Sequence, residues 1–115
     1  MATHIDYETA GRVDIDKLGA YRYANDPSLR ILMFAICKDD GPVYLWDHND
    51  PDCVESGQAK AVLKEALFHD DLFYAFNAPF EIAVSRYNML DQIGVEPPAP
   101  DRWRCVQAMA NRAQL

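Results

Sequence analysis

The stretch ILMFAICKDDGPVYLW, residues 31–46, says most about the fold. Ile31–Cys37 is nearly continuous apolar sequence, which favours a strand covered on both faces over an amphipathic helix. The DDGP sequence at 39–42 is typical of a turn, and Val43–Trp46 reads as a returning strand. The stretch therefore predicts an antiparallel hairpin.

Downstream of this hairpin the apolar period changes to that of a helix. Apolar residues recur at helical spacing from Gln58 to Leu67, as on a helix that lies on a sheet. Leu72–Phe76 then predicts a buried strand, followed by a second helix that Asn77 can cap. Residues 103–106 predict a further short strand or connecting segment, and a last helix begins at Gln107.

Upstream of the hairpin, Thr3–Glu8 alternates as a short strand, and residues 10–27 form a long connection with a short helix around Ile15–Tyr21. The element order predicts an α/β fold: a mixed sheet, built from an antiparallel hairpin plus a parallel strand, with flanking helices. The length of 115 residues predicts one domain over 1–115.

Composition and charge restrict the class of protein. Half of the residues are apolar, the net charge is −7 and the isoelectric point is about 4.7. These values argue against a protein that holds nucleic acid by a broad cationic surface. They allow an enzyme that meets phosphate through bound divalent metal, because the metal reverses the local charge. The chain has no secretory signal and no apolar run long enough for a membrane span, so we expect a cytoplasmic protein without a membrane partner.

The first group of residues that carries chemistry lies on the opening strand. Asp6 and Glu8 are two apart, so alternation places both carboxylates on the same face, opposite to Ile5 and Tyr7. Like charges at that distance repel, which raises a pKa or favours a cation between them. Taken alone, a D-x-E pattern is more often two ordinary acids on an exposed edge.

The second group follows the buried strand directly. Asn77 and Glu81 are four apart at a helix start and project on one side of the first turn. An acid there also interacts favourably with the helix dipole. Taken alone, this pattern is typical of a capped helix with a first-turn acid.

Together and in this order, the two groups resemble the DnaQ-like, RNase H-like family of 3′→5′ exonucleases. The resemblance is closest to the proofreading-type domain of phage and bacterial family A DNA polymerases, and it extends over nearly the whole chain. The segments that carry it are residues 5–9, 19–24, 26–28, 39–43, 77–81 and 102–105.

This resemblance implies two-metal hydrolysis of the terminal phosphodiester at the 3′ end of single-stranded DNA. It implies that Asp6 bridges two Mg²⁺ or Mn²⁺ ions, that Glu8 holds the ion that activates water, and that Glu81 supports the site from its helix. The implied substrate contacts are Thr9, Asn77 and Phe80.

The chain departs from the family pattern in two respects. The wider family usually has Asp at the position of Glu81, although family A polymerase relatives often carry Glu there. The third motif, a metal-binding Asp with a Tyr or His as general base, would lie beyond Leu115. We therefore expect a C-terminally truncated domain with weak or no nuclease activity alone, because positioned acid–base groups contribute about 10²- to 10⁴-fold in rate.

Two other hypotheses stay open. In one, the chain is a non-catalytic RNase H-like remnant that acts as an interaction or oligomerisation module. Its exposed sheet edge would then pair with another chain, such as a polymerase domain, or with a second copy. In the other, it is an unrelated small α/β protein. The remaining acids, Asp70 and Asp71 among them, are interpreted as turn and cap residues, and Trp46 and Trp103 as packing residues.

Overall fold

The computed structural model describes residues 2–113, with side chains described for residues 2–110. The strands are β1 (Ala2–Ala10), β2 (Arg30–Lys38), β3 (Val43–Asp47), β4 (Leu72–Ala75) and β5 (Trp103–Cys105). The α-helices are α1 (Ile15–Asn25), α2 (Val54–Phe68), α3 (Ala78–Val84), α4 (Leu90–Ile93) and α5 (Val106–Ala113). A π-helical turn, Ser85–Met89, joins α3 to α4, and a 3₁₀ turn, Pro100–Arg102, precedes β5.

The five strands form one mixed sheet in the order β3-β2-β1-β4-β5. The pairs β1–β2 and β2–β3 are antiparallel, which confirms the predicted hairpin, whereas β1–β4 and β4–β5 are parallel. The α/β prediction is thereby confirmed, and the architecture is compatible with an RNase H-like fold. The sheet places β1 at its centre, so the strand that carries Asp6 has a neighbour on both sides.

One face of the sheet carries the core. Ile5 and Tyr7 of β1 and Phe34 and Ile36 of β2 point into it, and they pack with buried residues of the helices. The opposite face, which includes His4, Asp6 and Glu8, is more exposed. The sheet is therefore buried on one face and open on the other in the part of the chain that the structure describes.

Strand β2 differs from the prediction that it is covered on both faces. Leu32 is 42% exposed, and Ala35 and Cys37 are half-buried, because they lie towards the open face. A bulge explains the missing alternation: Glu8 pairs with Met33 but Thr9 pairs with Ile31, which leaves Leu32 as an extra residue. Along β2 the buried positions therefore change from an odd-numbered residue, Ile31, to the even-numbered Phe34 and Ile36.

Two helices extend beyond their predicted limits. Helix α1 runs to Asn25 across a kink at Gly19, whose φ of 81° is a left-handed conformation that suits glycine. Helix α2 begins at Val54, earlier than the predicted Gln58, and the Cys53 sulfur accepts a hydrogen bond from the backbone N–H of Ser56. A thiol cap was not apparent from the sequence because Ser, Thr, Asp and Asn are the usual capping residues.

The π-helical turn lies in the middle of a longer helical rod. Hydrogen bonds from i to i+5 there accommodate one residue more per turn than an α-helix does. Met89 at its end is fully buried, as is most of Ile93 in α4. The rod ends at Gly94, which has a φ of 84° and donates its N–H to the carbonyl of Leu90.

A buried acid lies at the end of the sheet where β1 and β4 begin. Asp71 directly follows the turn at residues 69–70 and is only 4% exposed. Its carboxylate accepts a hydrogen bond from the Thr3 hydroxyl at 3.2 Å and lies 3.6 Å from the Lys38 ammonium. The Arg102 guanidinium donates to its carbonyl at 2.6 Å. This set, Asp71 with Thr3, Lys38 and Arg102, is called the Asp71 clip below.

The two tryptophans pack in the core, as predicted. Trp46 stacks on Phe34 at 5.6 Å and Trp103 lies 5.4 Å from Phe73, in each case between ring centroids. Among residues 2–113, no helix combines the length and the apolarity that crossing a membrane requires.

Candidate functional site

Asp6 lies on the central strand near the level at which β4 ends. The parallel pairing of β1 and β4 runs from Ala2↔Leu72 to His4↔Tyr74, and β4 ends one residue later, at Ala75. Asp6 is two residues past His4, so it stands beside the segment that leads from β4 into α3. Ligands of open α/β sheets commonly bind outside the carboxyl ends of the strands, which is this edge.

Glu81 lies in the first turn of α3 and is buried, with 3% of its surface exposed. The helix starts as predicted after Asn77, whose carbonyl accepts the backbone N–H groups of Phe80 and Glu81. The Oε2 atom of Glu81 has no hydrogen-bond partner among the described residues. An unsatisfied buried polar atom costs roughly 1–3 kcal/mol, and more when it is charged. That oxygen is therefore suited to accept a proton donor or a cation.

Burial raises the pKa of the Glu81 carboxyl to about 8, and the negative charges of Asp6 and then Cys105 act in the same direction. The carboxyl therefore holds its proton near neutral pH unless a cation replaces it. Asp6 reaches this point from the open face of the sheet and Glu81 from the helical side. The charge of Asp6 thus acts on the Glu81 carboxyl.

Glu8 stays outside this pair. It is exposed on the same face as Asp6 and pairs in register with Met33 of β2. Within the described residues, no three or more His, Cys, Asp or Glu side chains are grouped as a metal site would require. Among the described residues the three acids singled out in the sequence are thus not grouped: the charge of Asp6 acts on the buried Glu81, and Glu8 is a separate exposed carboxylate.

A buried hydroxyl pair beside Glu81 was missed in the sequence. The Tyr7 hydroxyl and the Ser85 Oγ atom are 2.7 Å apart. Burial raises the pKa of Tyr7 far above its ordinary value, the Ser85 hydrogen bond opposes that shift, and the charge of Glu81 adds to it. Ser85 is four residues after Glu81 on one helical rod, so helical spacing offered a signal that both face the same way.

The predicted substrate residues have different environments. The Thr9 hydroxyl is 2.9 Å from the Tyr23 hydroxyl, and the Phe80 ring lies 6.2 Å from the Tyr23 ring, so both are engaged in packing. Asn77 occupies the N-cap position of α3, but its side chain forms no capping hydrogen bond. Its exposed amide is therefore the member of this set that is available to a ligand.

Cys105 lies at the carboxyl end of β5, next to the start of α3. Backbone N–H groups of Ala108 and then Ala78 lower the pKa of its thiol, because they stabilise the thiolate. This thiol contributes to the electrostatics around Glu81, but thiolates are soft ligands and suit Mg²⁺ poorly. No feature of the sequence marked it.

This arrangement fits a hard divalent cation in one respect. Asp6 and Glu81 supply carboxylate oxygens, the ligand type that Mg²⁺ and Mn²⁺ prefer, and one of those oxygens is buried without a partner. Chemically, the pair can hold a proton or a cation between the end of β4 and the open face.

Comparison with known proteins gives one clear relation. No family model and no solved structure matches the chain. The chain is similar to the DNA polymerase of Bacillus phage SP02, with 31% identity over 113 residues. The similar region is 96% of this chain and 16% of that polymerase, so the chain spans about a sixth of the length of its relative.

Proposed function

Starting from this relation to part of a phage DNA polymerase, we propose that the chain is a segment of a proofreading-type 3′→5′ exonuclease domain. Its ligand would be the 3′ end of single-stranded DNA, and its reaction the hydrolysis of the terminal phosphodiester. Asp6, Glu8 and Glu81 would hold Mg²⁺ or Mn²⁺. The α/β fold with a mixed sheet supports this proposal, because it provides a central strand and a helix start that converge.

The observation that carries the proposal is the state of Glu81. A buried carboxyl with an unpartnered oxygen next to a second acid is unfavourable for folding alone. Strongly shifted groups of this kind are enriched at functional sites. A divalent cation would satisfy Oε2 and neutralise the repulsion from Asp6 at the same time.

The residues of this chain would have separate roles. Asp6 and Glu81 would hold cation at the end of β4, and Glu8 would join them from its exposed position on the same strand. Bound divalent ions would supply charge neutralisation at the phosphate and an activated water. The exposed amide of Asn77 would contact the terminal nucleotide, whereas Thr9 and Phe80 would act by positioning Tyr23 and the first turn of α3.

Calorimetric titration with Mn²⁺ tests the metal site. The wild type should show a binding site that Asp6→Asn and Glu81→Gln each weaken at least tenfold, because each removes one hard oxygen ligand. Asp91→Asn is the matched control, since it removes an exposed acid of α4. Equal Mn²⁺ binding by the wild type and both site variants would end the proposal.

A nuclease assay tests the reaction. Single-stranded DNA labelled at its 5′ end should be shortened from the 3′ end with Mn²⁺, and Asp6→Ala should abolish the shortening. Asp6→Ala removes a carboxylate that would hold the divalent ion and so the activated water that the ion would supply. Shortening that survives Asp6→Ala would assign it to a contaminant and not to this site.

A second candidate function is an interaction module. The open face of the sheet exposes apolar side chains, among them Val43, Leu45 and Phe76, which is typical of a surface that another element covers. A polymerase domain or a second copy would cover it. Light scattering over a range of concentrations should then show a dimer that Val43→Thr with Phe76→Ser dissociates, and a concentration-independent monomer would remove self-association.

A further inference from the structure

A cleft of about 650 Å³ lies past the carboxyl end of β1, beyond the candidate site. It is formed where the segment after β1 meets the turn before β2. Its lining residues are Arg12, Val13, Asp26, Pro27, Ser28 and Arg30. A hydrogen bond holds the two sides of the cleft together: the backbone N–H of Arg12 donates to the Ser28 hydroxyl at 2.8 Å.

Both arginines of this cleft have guanidinium groups with free donors. Arg12 and Arg30 are exposed, and within residues 2–110 neither forms an ion pair with a carboxylate. One Nη1 donor of Arg30 is used, on the carbonyl of Leu29 at 3.2 Å. An arginine has five N–H donors in a planar fork, so most of them remain for a ligand.

The acid in the cleft is engaged by its own turn. The Asp26 carboxylate accepts the Ser28 backbone N–H at 2.9 Å, and its pKa is lowered by hydrogen bonds from the Ser28 side chain and backbone, with Arg12 adding to the effect. It therefore stays ionised and offsets part of the positive charge. Two guanidiniums against one carboxylate leave the cleft cationic, in a chain with a net charge of −7.

The cleft continues the face of the sheet that carries the acids. Ala10 of β1 pairs with Arg30, and residues that pair directly lie on the same face, which here is the face of Asp6 and Glu8. Asp6 and Ala10 are four positions apart on β1, a span of roughly 13 Å at 3.3 Å per residue. A polymer that starts at Asp6 and follows β1 therefore reaches the two arginines within a few monomers.

We propose that the Arg12–Arg30 cleft binds backbone phosphates of a polynucleotide strand a few nucleotides away from the end that reaches Asp6. Guanidinium groups match phosphate oxygens in geometry and charge. An acidic protein repels nucleic acid over most of its surface, so a local cationic cleft of this kind determines where the strand lies. The choice of ligand rests on the proposed function, whereas the phosphate-binding chemistry stands without it.

Salt-dependent binding tests the cleft. Fluorescence anisotropy with a labelled single-stranded oligodeoxythymidylate, in EDTA to exclude cleavage and metal, gives the slope of log K against log salt. Each phosphate contact contributes about 0.7 to that slope for single strands. Arg12→Ala with Arg30→Ala should reduce the slope by about 1.4 and weaken binding about ten- to thirtyfold at roughly 0.1 M salt.

Three comparisons make the result specific. Arg12→Lys with Arg30→Lys should keep most of the slope, because the charges remain, and Lys64→Ala, which removes an exposed charge of α2, should leave it unchanged. An unaltered slope in the double alanine variant, or an equal loss in Lys64→Ala, would overturn the inference. So would displacement of the oligonucleotide by millimolar inorganic phosphate at constant ionic strength, which would show a site for free phosphate. Because no metal is present, failure here leaves the Mn²⁺ titration to judge the proposed function separately.

Discussion

A buried acid lies near each end of the central parallel strands, and the two acids differ in whether their carboxylate oxygens have partners. At one end, Asp71 receives a hydroxyl hydrogen bond from Thr3 and the charge of Lys38. At the other end, Glu81 is equally buried, has an oxygen without a partner among the described residues, and its pKa is raised further by the negative charge of Asp6. Burial alone therefore does not distinguish the two. The difference shows that one end of the sheet is complete as folded, whereas the other is suited to an additional proton or cation.

The largest effect on the free energy of unfolding is expected from removing Asp71 from the Asp71 clip. Asp71→Ala should lower the free energy of unfolding by about 2–4 kcal/mol, because it removes a buried acceptor and leaves the Thr3 hydroxyl without a partner. Urea unfolding measures this change. Glu65→Ala is the matched control, because Glu65 is also an ion-pair partner of Lys38, at 3.3 Å, but is exposed. Its loss should lower the free energy of unfolding by at most about 0.5 kcal/mol. An equal loss of stability in both variants would mean that the Asp71 clip contributes no more than an exposed ion pair does.

A smaller effect of opposite sign is expected at Glu81. Its pKa in the folded state is about 8, above the ordinary value of 4.5, so the folded protein holds the proton more tightly than the unfolded chain does. The free energy of unfolding therefore falls as the pH rises from about 4.5 to about 8. Glu81→Gln removes this dependence and should be more stable than the wild type by about 1–3 kcal/mol at pH 9, with little difference at pH 4.

Urea unfolding of both proteins across this pH range checks the prediction. Glu96→Gln, which replaces an exposed acid, serves as the control and should follow the wild-type curve throughout. Parallel curves for Glu81→Gln and the wild type would show that Glu81 is solvated in solution and would make the two ends of the sheet alike.

The smallest effect on the free energy of unfolding is expected from Tyr7→Phe, which tests the hydrogen bond beside Glu81. Loss of the 2.7 Å hydrogen bond to Ser85 should cost about 1 kcal/mol, measured by urea unfolding. Tyr21→Phe is the control, because that ring is half exposed. An equal and negligible cost for Tyr7→Phe and Tyr21→Phe would mean that the Tyr7–Ser85 hydrogen bond contributes nothing to stability.

Local pattern predicted the sheet well. Alternation in Thr3–Glu8, the turn residues after Cys37 and the change of period at α2 each reflect an interaction between near neighbours in the chain. Each of these elements is present, although β1 and α2 are longer than predicted. The phase of β2 was not predictable in this way. The bulge at Leu32 depends on pairing with β1, and an apolar run gives no sign of it.

The candidate site was predictable only as far as its acids. Residue spacing singled out Asp6, Glu8 and Glu81, but the tertiary structure decides that the charge of Asp6 acts on the buried Glu81, whereas Glu8 is an exposed carboxylate further along β1. The partners of Asp71 come from positions near 3, 38 and 102, which no local pattern connects. Contacts of this kind form only in the tertiary structure, so no local sequence pattern predicts them.

The π-helical turn sets the angular phase of everything after it. In a continuous α-helix, with about 100° per residue, Met89 and Ile93 would be rotated by roughly 80–120° from Glu81. The extra residue in the wide turn reverses about 100° of that drift, so both apolar residues return to the buried side. The helical turns before and after the π-helical turn are therefore rotated relative to the positions that a continuous α-helix would give them. Loss of one codon between residues 85 and 89 would remove that offset and turn one half away from the sheet, whereas single substitutions there leave it in place.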